Sequence, residues 1–300
     1  MLRESFEQAI YYDDDSDEPR WKPLPKFTTP EEFESNCFYA AILKGHLYAV
    51  GDGITESGFA RYNTQTNQWD KLAPVSVENT PVSMVELNGY IYIMSGVTHE
   101  NPPEGIPVDA SNEFVDRYNI TTDTWETLCP LSVIGRGFNV TSVAHEGKIL
   151  RASVEPNENY THFFLIIQVY DPVSNTWYLA HRETIRTGYS LTLTVQRSTC
   201  YLVLHDGPHG RLNMRTHQVY KLSCDFESDP PSVGVEKKIR QTFAITKYEG
   251  AFGIDDDVFV NFEGCVYKPN PENVGDLGSL TLKNVAINSN CVYFTFDKRL

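Results

Sequence analysis

Apolar residues in this chain recur in short alternating runs, each closed by a polar turn. "AAILKGHLYAVGDG" (40–53), "VSMVELNGYIYIMSGV" (82–97) and "TSVAHEGKILRASV" (141–154) share one plan. An apolar strand leads into a turn ending in glycine (Gly45, Gly89 or Gly147), and an alternating strand follows. Alternation with a period of two predicts antiparallel hairpins, and glycine suits a turn position that needs positive φ.

Each hairpin is followed by a second one. "ARYNTQTNQWDKL", "DRYNITTDTWETL" and "QVYDPVSNTWYLA" place Tyr62, Tyr118 and Tyr170 seven residues before Trp69, Trp125 and Trp177, with an Asn/Asp/Thr-rich turn between. Four short strands in a unit of about fifty residues predict a blade of a β-propeller. Two later units are weaker. "LTLTVQRSTCYLVLHDG" with "THQVYKLSCDF" keeps Tyr220 but puts Glu227 at the tryptophan position. "GAFGIDDDVFVNF" with "GCVYKPNPENVG" keeps Tyr267 and has Val274 there.

The ends of the chain complement each other. "TLKNVAINSNCVYFTFDKRL" supplies two inner-type strands, and "AIYYDDDSDEPRWKPLP" supplies an outer hairpin with Tyr12 and Trp21. The expectation is an all-β, six-bladed propeller of four-stranded antiparallel blades, closed by N-terminal outer strands and C-terminal inner strands. Residues 1–27 and 279–300 form the shared blade, and 33–75, 80–131, 136–182, 187–240 and 243–278 form the others. Such closure leaves no open sheet edge.

The Tyr-x6-Trp spacing resembles kelch repeats across essentially the whole chain. The double glycine of the kelch pattern is missing, replaced by "GDG" at 51–53, "SGV" at 95–97, "ASV" at 152–154 and "HDG" at 205–207. WD-repeat, sialidase-like and galactose-oxidase-like propellers fit less well. The chain resembles the substrate-binding domain of BTB–BACK–kelch proteins, including the divergent "kelch repeat and BTB domain-containing" group. That resemblance implies a non-enzymatic protein-interaction module: a Cullin-3 ubiquitin-ligase adaptor that meets the cullin only through BTB and BACK domains. A start in mid-blade fits an excised domain with those parts upstream. Two alternatives stay open: an actin-binding scaffold, as other kelch propellers are, and a propeller enzyme.

Composition narrows the partners. A net charge of −15 disfavours nucleic acid. No run is long and apolar enough for a membrane span, and the N-terminus lacks a signal-peptide core, so a cytoplasmic or nuclear location is expected. The Asn-x-Thr sequons at Asn119, Asn139 and Asn159 are then expected to go unused. The cysteines at 37, 129, 200, 224, 265 and 291 lie far apart with no CxxC pair, which predicts reduced thiols and no zinc site. Asp13, Asp15 and Asp17 alternate as in a calcium loop, but Glu18 and Leu24 stand where that loop needs Gly and a bidentate Glu. The aspartates at 255–257 read as a hairpin turn, and His205, His209 and His217 are too loosely spaced for a metal. No cofactor is expected.

The binding residues are expected on the face shared by the second-to-third-strand loops and the inter-blade loops. Arg211, Arg215 and His209 crowd one such loop, while "IGRGFN" and "IRTGYS" place Arg136 and Arg186 just before inner strands. In kelch adaptors, arginines so placed resemble those that bind acidic peptides. The expected partner is therefore a protein, through an acidic or phosphorylated peptide, with Phe138 and Tyr189 as aromatic anchors. Phe38 and Tyr39 are expected mainly in the core. The proline-rich loop 98–114 is a second candidate element.

Overall fold

A computed structural model of the chain describes residues 10–13, 20–23, 38–44, 46–51, 58–63, 66, 68–75, 81–95, 115–128, 138–157, 159, 161–185, 190–196, 198–205, 215–243, 248–254, 257–262 and 265–267. All regular structure among them is β. The strands are β1 (Ile10–Asp13), β2 (Arg20–Pro23), β3 (Phe38–Leu43), β4 (His46–Gly51), β5 (Gly58–Asn63), β6 (Gln68–Lys71), β7 (Pro81–Leu87) and β8 (Tyr90–Ser95). They continue as β9 (Val115–Asn119), β10 (Thr124–Thr127), β11 (Phe138–His145), β12 (Lys148–Pro156), β13 (Phe163–Asp171) and β14 (Thr176–Ile185). The last are β15 (Ser190–Gln196), β16 (Thr199–His205), β17 (Arg215–Asp225), β18 (Ser232–Phe243), β19 (Tyr248–Ile254), β20 (Asp257–Phe262) and β21 (Cys265–Tyr267).

These make four antiparallel four-stranded meanders, β3–β6, β7–β10, β11–β14 and β15–β18, which are blades one to four. A three-stranded sheet, β19–β21, and the hairpin β1–β2 complete the set. The first strands β3, β7, β11, β15 and β19 lie side by side in chain order, which is the arrangement of a propeller around its axis. Tyr12 sits directly opposite Trp21, the register in which Tyr62, Tyr118 and Tyr170 face Trp69, Trp125 and Trp177. The partner strands expected at 279–300 lie outside the described residues, as does the loop 98–114. β19 and β20 pair with Ile254 opposite Asp257, which opens β20.

Local chemistry fixes both kinds of turn. Asn88–Gly89 and Glu146–Gly147 have φ of 53° and 81°, and of 47° and 76°. Two successive positive φ values match the right-handed twist of a two-residue hairpin. In the outer turns the residue after the tyrosine caps the bend. Asn119 Oδ1 accepts the Thr121 N–H at 2.9 Å, and Asp171 Oδ1 accepts that of Val173 at 2.8 Å. This is the Asx-turn use of a short polar side chain, and it explains why Asn or Asp follows Tyr in each of these repeats.

Blade four departs from the expected register. Its outer strands run to 11 and 12 residues, so Tyr220 faces Lys237 while Glu227 lies in the turn. The hairpin continues to Asp225 before bending, where Asp225 Oδ1 accepts the N–H groups of Glu227 and Ser228.

The core sits between blades, where facing sheets cover one another. Tyr48, Phe59, Ile91, Ile93 and Tyr118 join blades one and two, and Tyr92, Met94, Ile149, Tyr170 and Trp177 join two and three. Leu150, Ile167, Val169, Leu193, Leu202 and Leu222 join three and four. Adjacent residues Ile149 and Leu150 thus serve opposite interfaces, as the pleat requires. Each fully buried aliphatic side chain contributes roughly 1.5–3 kcal/mol. Tyr39 packs against the first of these clusters, as expected of a core residue.

Polar straps reinforce the first interface. Trp125 Nε1 donates to the carbonyl of Ala73 at 2.9 Å, and Asp123 Oδ1 accepts from the Ala73 N–H at 3.0 Å and from the Tyr118 hydroxyl at 2.7 Å. Asp123 holds φ of 53°, a conformation that Asn and Asp tolerate better than most residues. The same part in blade three is taken by Asn175, at φ 52°, whose Oδ1 accepts from Tyr170 at 2.9 Å.

Candidate partner-binding face

The strand directions fix which end of each blade carries the expected binding loops. Phe138 opens β11 opposite Val154, Pro156 faces Phe163, and Phe163 faces Ile185, so these residues share one end of blade three. His205 faces both Ser190 and His217, and Arg215 faces Phe243, at the corresponding end of blade four. Phe138 and Arg215 are placed by their backbones alone. Arg136, Arg186, Tyr189, His209 and Arg211 lie outside the described residues.

Blade three shows the described part of this face in detail. The tip 157–162 is built around Asn157, whose Oδ1 accepts the N–H groups of Thr161 at 2.7 Å and His162 at 3.2 Å. The Asn157 N–H closes the bend onto the His162 carbonyl at 2.9 Å. His162 meets Phe164 edge-on, with centroids 5.3 Å apart. The Arg182 guanidinium lies over the same ring, 4.2 Å from its centroid. This stacked pair has cation–π geometry and leaves the exposed cation at the rim.

Glu155 faces Phe164 directly across the ladder, and Arg151 lies four residues further in on the same strand. Arg151 is 1% exposed and donates through Nη1 to Gln168 Oε1 at 2.7 Å. A charge this deep needs hydrogen-bonding partners among its neighbours. The Glu155 carboxyl is pushed above the ordinary carboxylate value, chiefly by burial, while Arg151 and Arg182 pull it back. A half-buried carboxylate between two guanidinium groups limits how much free positive charge this corner offers.

Arg182, Phe164 and Glu155 escaped the reading of the sequence. Arg182 lies within a strand, in "HRETIR", not in a loop, and only the pairing of Ile166 with Arg182 puts it diagonal to Phe164. The arrangement suits recognition of an anionic group: a planar cation on an aromatic platform offers a fork of N–H donors. Among the described residues one set of His and Cys ligand atoms converges, that of His145, Cys200 and Cys224, at the opposite end of blades three and four.

Comparison with known proteins follows the same lines. No family model matches the chain. An F-box/kelch-repeat protein of Arabidopsis thaliana is 27% identical over 177 residues, which cover 57% of this chain and 45% of the relative. Kelch-like protein 40 of Xenopus laevis is 28% identical over 136 residues, 44% of this chain and 21% of the relative. Kelch repeat and BTB domain-containing protein 12 of Danio rerio is 31% identical over 102 residues, 30% of this chain and 16% of the relative. The chain thus spans less than half the length of these curated relatives. Among solved structures, that of YjhT aligns with a TM-score of 0.53 over 77% of this chain and 72% of its own, at 16% identity. The succession of four-stranded blades, the Tyr-x6-Trp hairpins and these relatives together support a kelch-repeat β-propeller.

Proposed function

We propose that this propeller is a protein-interaction module, the substrate-recognition part of a Cullin-3 ubiquitin-ligase adaptor, acting in the cytoplasm or nucleus. The activity is recognition, not catalysis, and the cullin is reached through a BTB domain, not through the blades. The reading is supported by relatives whose names join kelch repeats to a BTB domain or an F-box. The observation that carries the site is the exposed Arg182 guanidinium stacked on Phe164 at the loop end of blade three. Together with Arg136, Arg186, Arg211 and Arg215 it would receive an acidic or phosphorylated peptide, each charge-assisted contact being worth roughly 1.5–3 kcal/mol.

The test is affinity purification from cells with the wild-type chain and with Arg136→Glu/Arg186→Glu, followed by binding of acidic and phosphorylated peptides from the recovered proteins. The reading requires a partner that the double variant loses, and whose ubiquitination falls when the full-length protein is depleted. Co-sedimentation with actin filaments and unchanged partners in the variant would replace it with a cytoskeletal role.

A further inference from the structure

His145, Cys200 and Cys224 come from three strands in two blades, and their ligand atoms all lie within 4.8 Å of one another. His145 ends β11, just before the Glu146–Gly147 turn of blade three. Cys200 is the second residue of β16, close to the turn that joins β15 to it. Cys224 is the last residue but one of β17, on the extended part of the blade-four hairpin. That extension carries its thiol back over the turn of blade three. The cluster therefore lies at the end of the propeller opposite the partner-binding loops, on the seam between two blades.

We propose that His145, Cys200 and Cys224 form a zinc site that staples blade three to blade four. Two thiolates and one imidazole make a borderline-soft donor set that suits zinc. Bonds of about 2.3 Å to sulfur and about 2.0 Å to nitrogen set tetrahedral ligand atoms roughly 3.5–3.8 Å apart. Closing from 4.8 Å to that spacing takes a contraction of the order of 1 Å, within reach of side-chain rotation. The fourth position falls to water or to the Glu146 carboxylate, whose Oε1 lies 3.7 Å from His145 Nε2.

Two further facts favour a metal over a direct sulfur–sulfur bond. Cys200 faces Leu222 in the ladder, so Cys224 is its diagonal neighbour. Diagonal Cα atoms lie roughly 7–8 Å apart, beyond the 4.4–6.8 Å usual for a disulfide. A metal between the sulfurs spans that gap without moving the strands. The pocket also shields its ligands: Cys200 is 0% exposed, His145 8%, and Phe226 packs edge-on against the imidazole at 5.9 Å.

The experiment measures bound zinc by elemental analysis of the full chain after dialysis against a weak chelator, then titrates the zinc-free chain with cobalt. Wild type is expected to keep about one zinc per chain and to show thiolate-to-cobalt charge-transfer absorption. Cys224→Ser and His145→Gln should lose most of that zinc, while Cys224→His should retain it. Circular dichroism checks that each variant folds; if Cys224→Ser does not, His145→Gln and the wild-type cobalt spectrum decide. A folded wild type that binds zinc no better than these variants overturns the proposal. So does a Cys200–Cys224 disulfide in peptide mass spectra from a chain that takes up no zinc.

Discussion

The indole N–H of Trp125, in the last strand of blade two, donates to the backbone carbonyl of Ala73, 2.9 Å away at the exit of blade one. Trp125 therefore does more than fill space, because it ties its own blade to the one before. Trp125→Phe keeps an aromatic ring against Phe59 and Tyr118 but removes the donor. A loss of about 1–2 kcal/mol is expected, from one hydrogen bond and part of the buried area. Urea unfolding measures it, and an unchanged midpoint would mean that the bond contributes nothing net.

Asp123 offers a sharper comparison. Its carboxylate takes the Ala73 N–H and the Tyr118 hydroxyl, while its backbone sits at positive φ. Asp123→Ala loses both bonds and the tolerance for that conformation, for an expected cost of about 2–3 kcal/mol. Asp123→Asn should retain most of the stability, since Asn175 already does this in blade three. Equal losses for the two variants would refute the assignment.

Glu155 predicts a pH dependence. The folded protein holds this proton more tightly than the unfolded chain does, because burial raises its pKa. Its contribution to stability is therefore most favourable in acid. It declines as pH rises from the ordinary value of 4.5 through the raised folded value. Glu155→Gln removes the titration, so the variant should melt above wild type near neutral pH and converge with it at about pH 4. Melting curves across that range settle the matter, and parallel profiles would contradict the sign.

Arg182 tests the face from its described side. Arg182→Glu should weaken binding of an acidic partner peptide more than tenfold at low salt, and the effect should shrink as salt is added. Arg182→Lys keeps the charge but gives up the planar fork and the stacking on Phe164, so an intermediate loss is expected. Calorimetry on both variants checks this; a silent Arg182→Glu would move the binding surface to another blade.

The blade plan was legible because three signals coincide in every strong repeat: a turn glycine, an Asx-turn residue after the tyrosine, and a tryptophan opposite that tyrosine. Each is a local requirement, so each leaves a local mark. Blade four shows where this ends. Its hairpin runs past Tyr220 to Asp225, and counting seven residues to Glu227 lands in the turn rather than on the facing strand. Pairs set by register across strands left no such mark. Arg182 stacks on Phe164 from 18 positions away in the chain, and His145 meets Cys200 and Cys224 from another blade. Spacing rules that look for ligands within a few residues pass over both.

The grip of Trp125 and Asp123 on Ala73 also shifts where one module ends and the next begins. The stretch leaving blade one is held by the outer hairpin of blade two, so the unit that coheres is offset from the four-stranded sheet. A graft that swaps whole sheets would cut through this grip and leave Ala73 with the wrong neighbour. A graft that takes the exit of one blade with the outer hairpin of the next would carry it intact. For these blades, the interchangeable part is the joint.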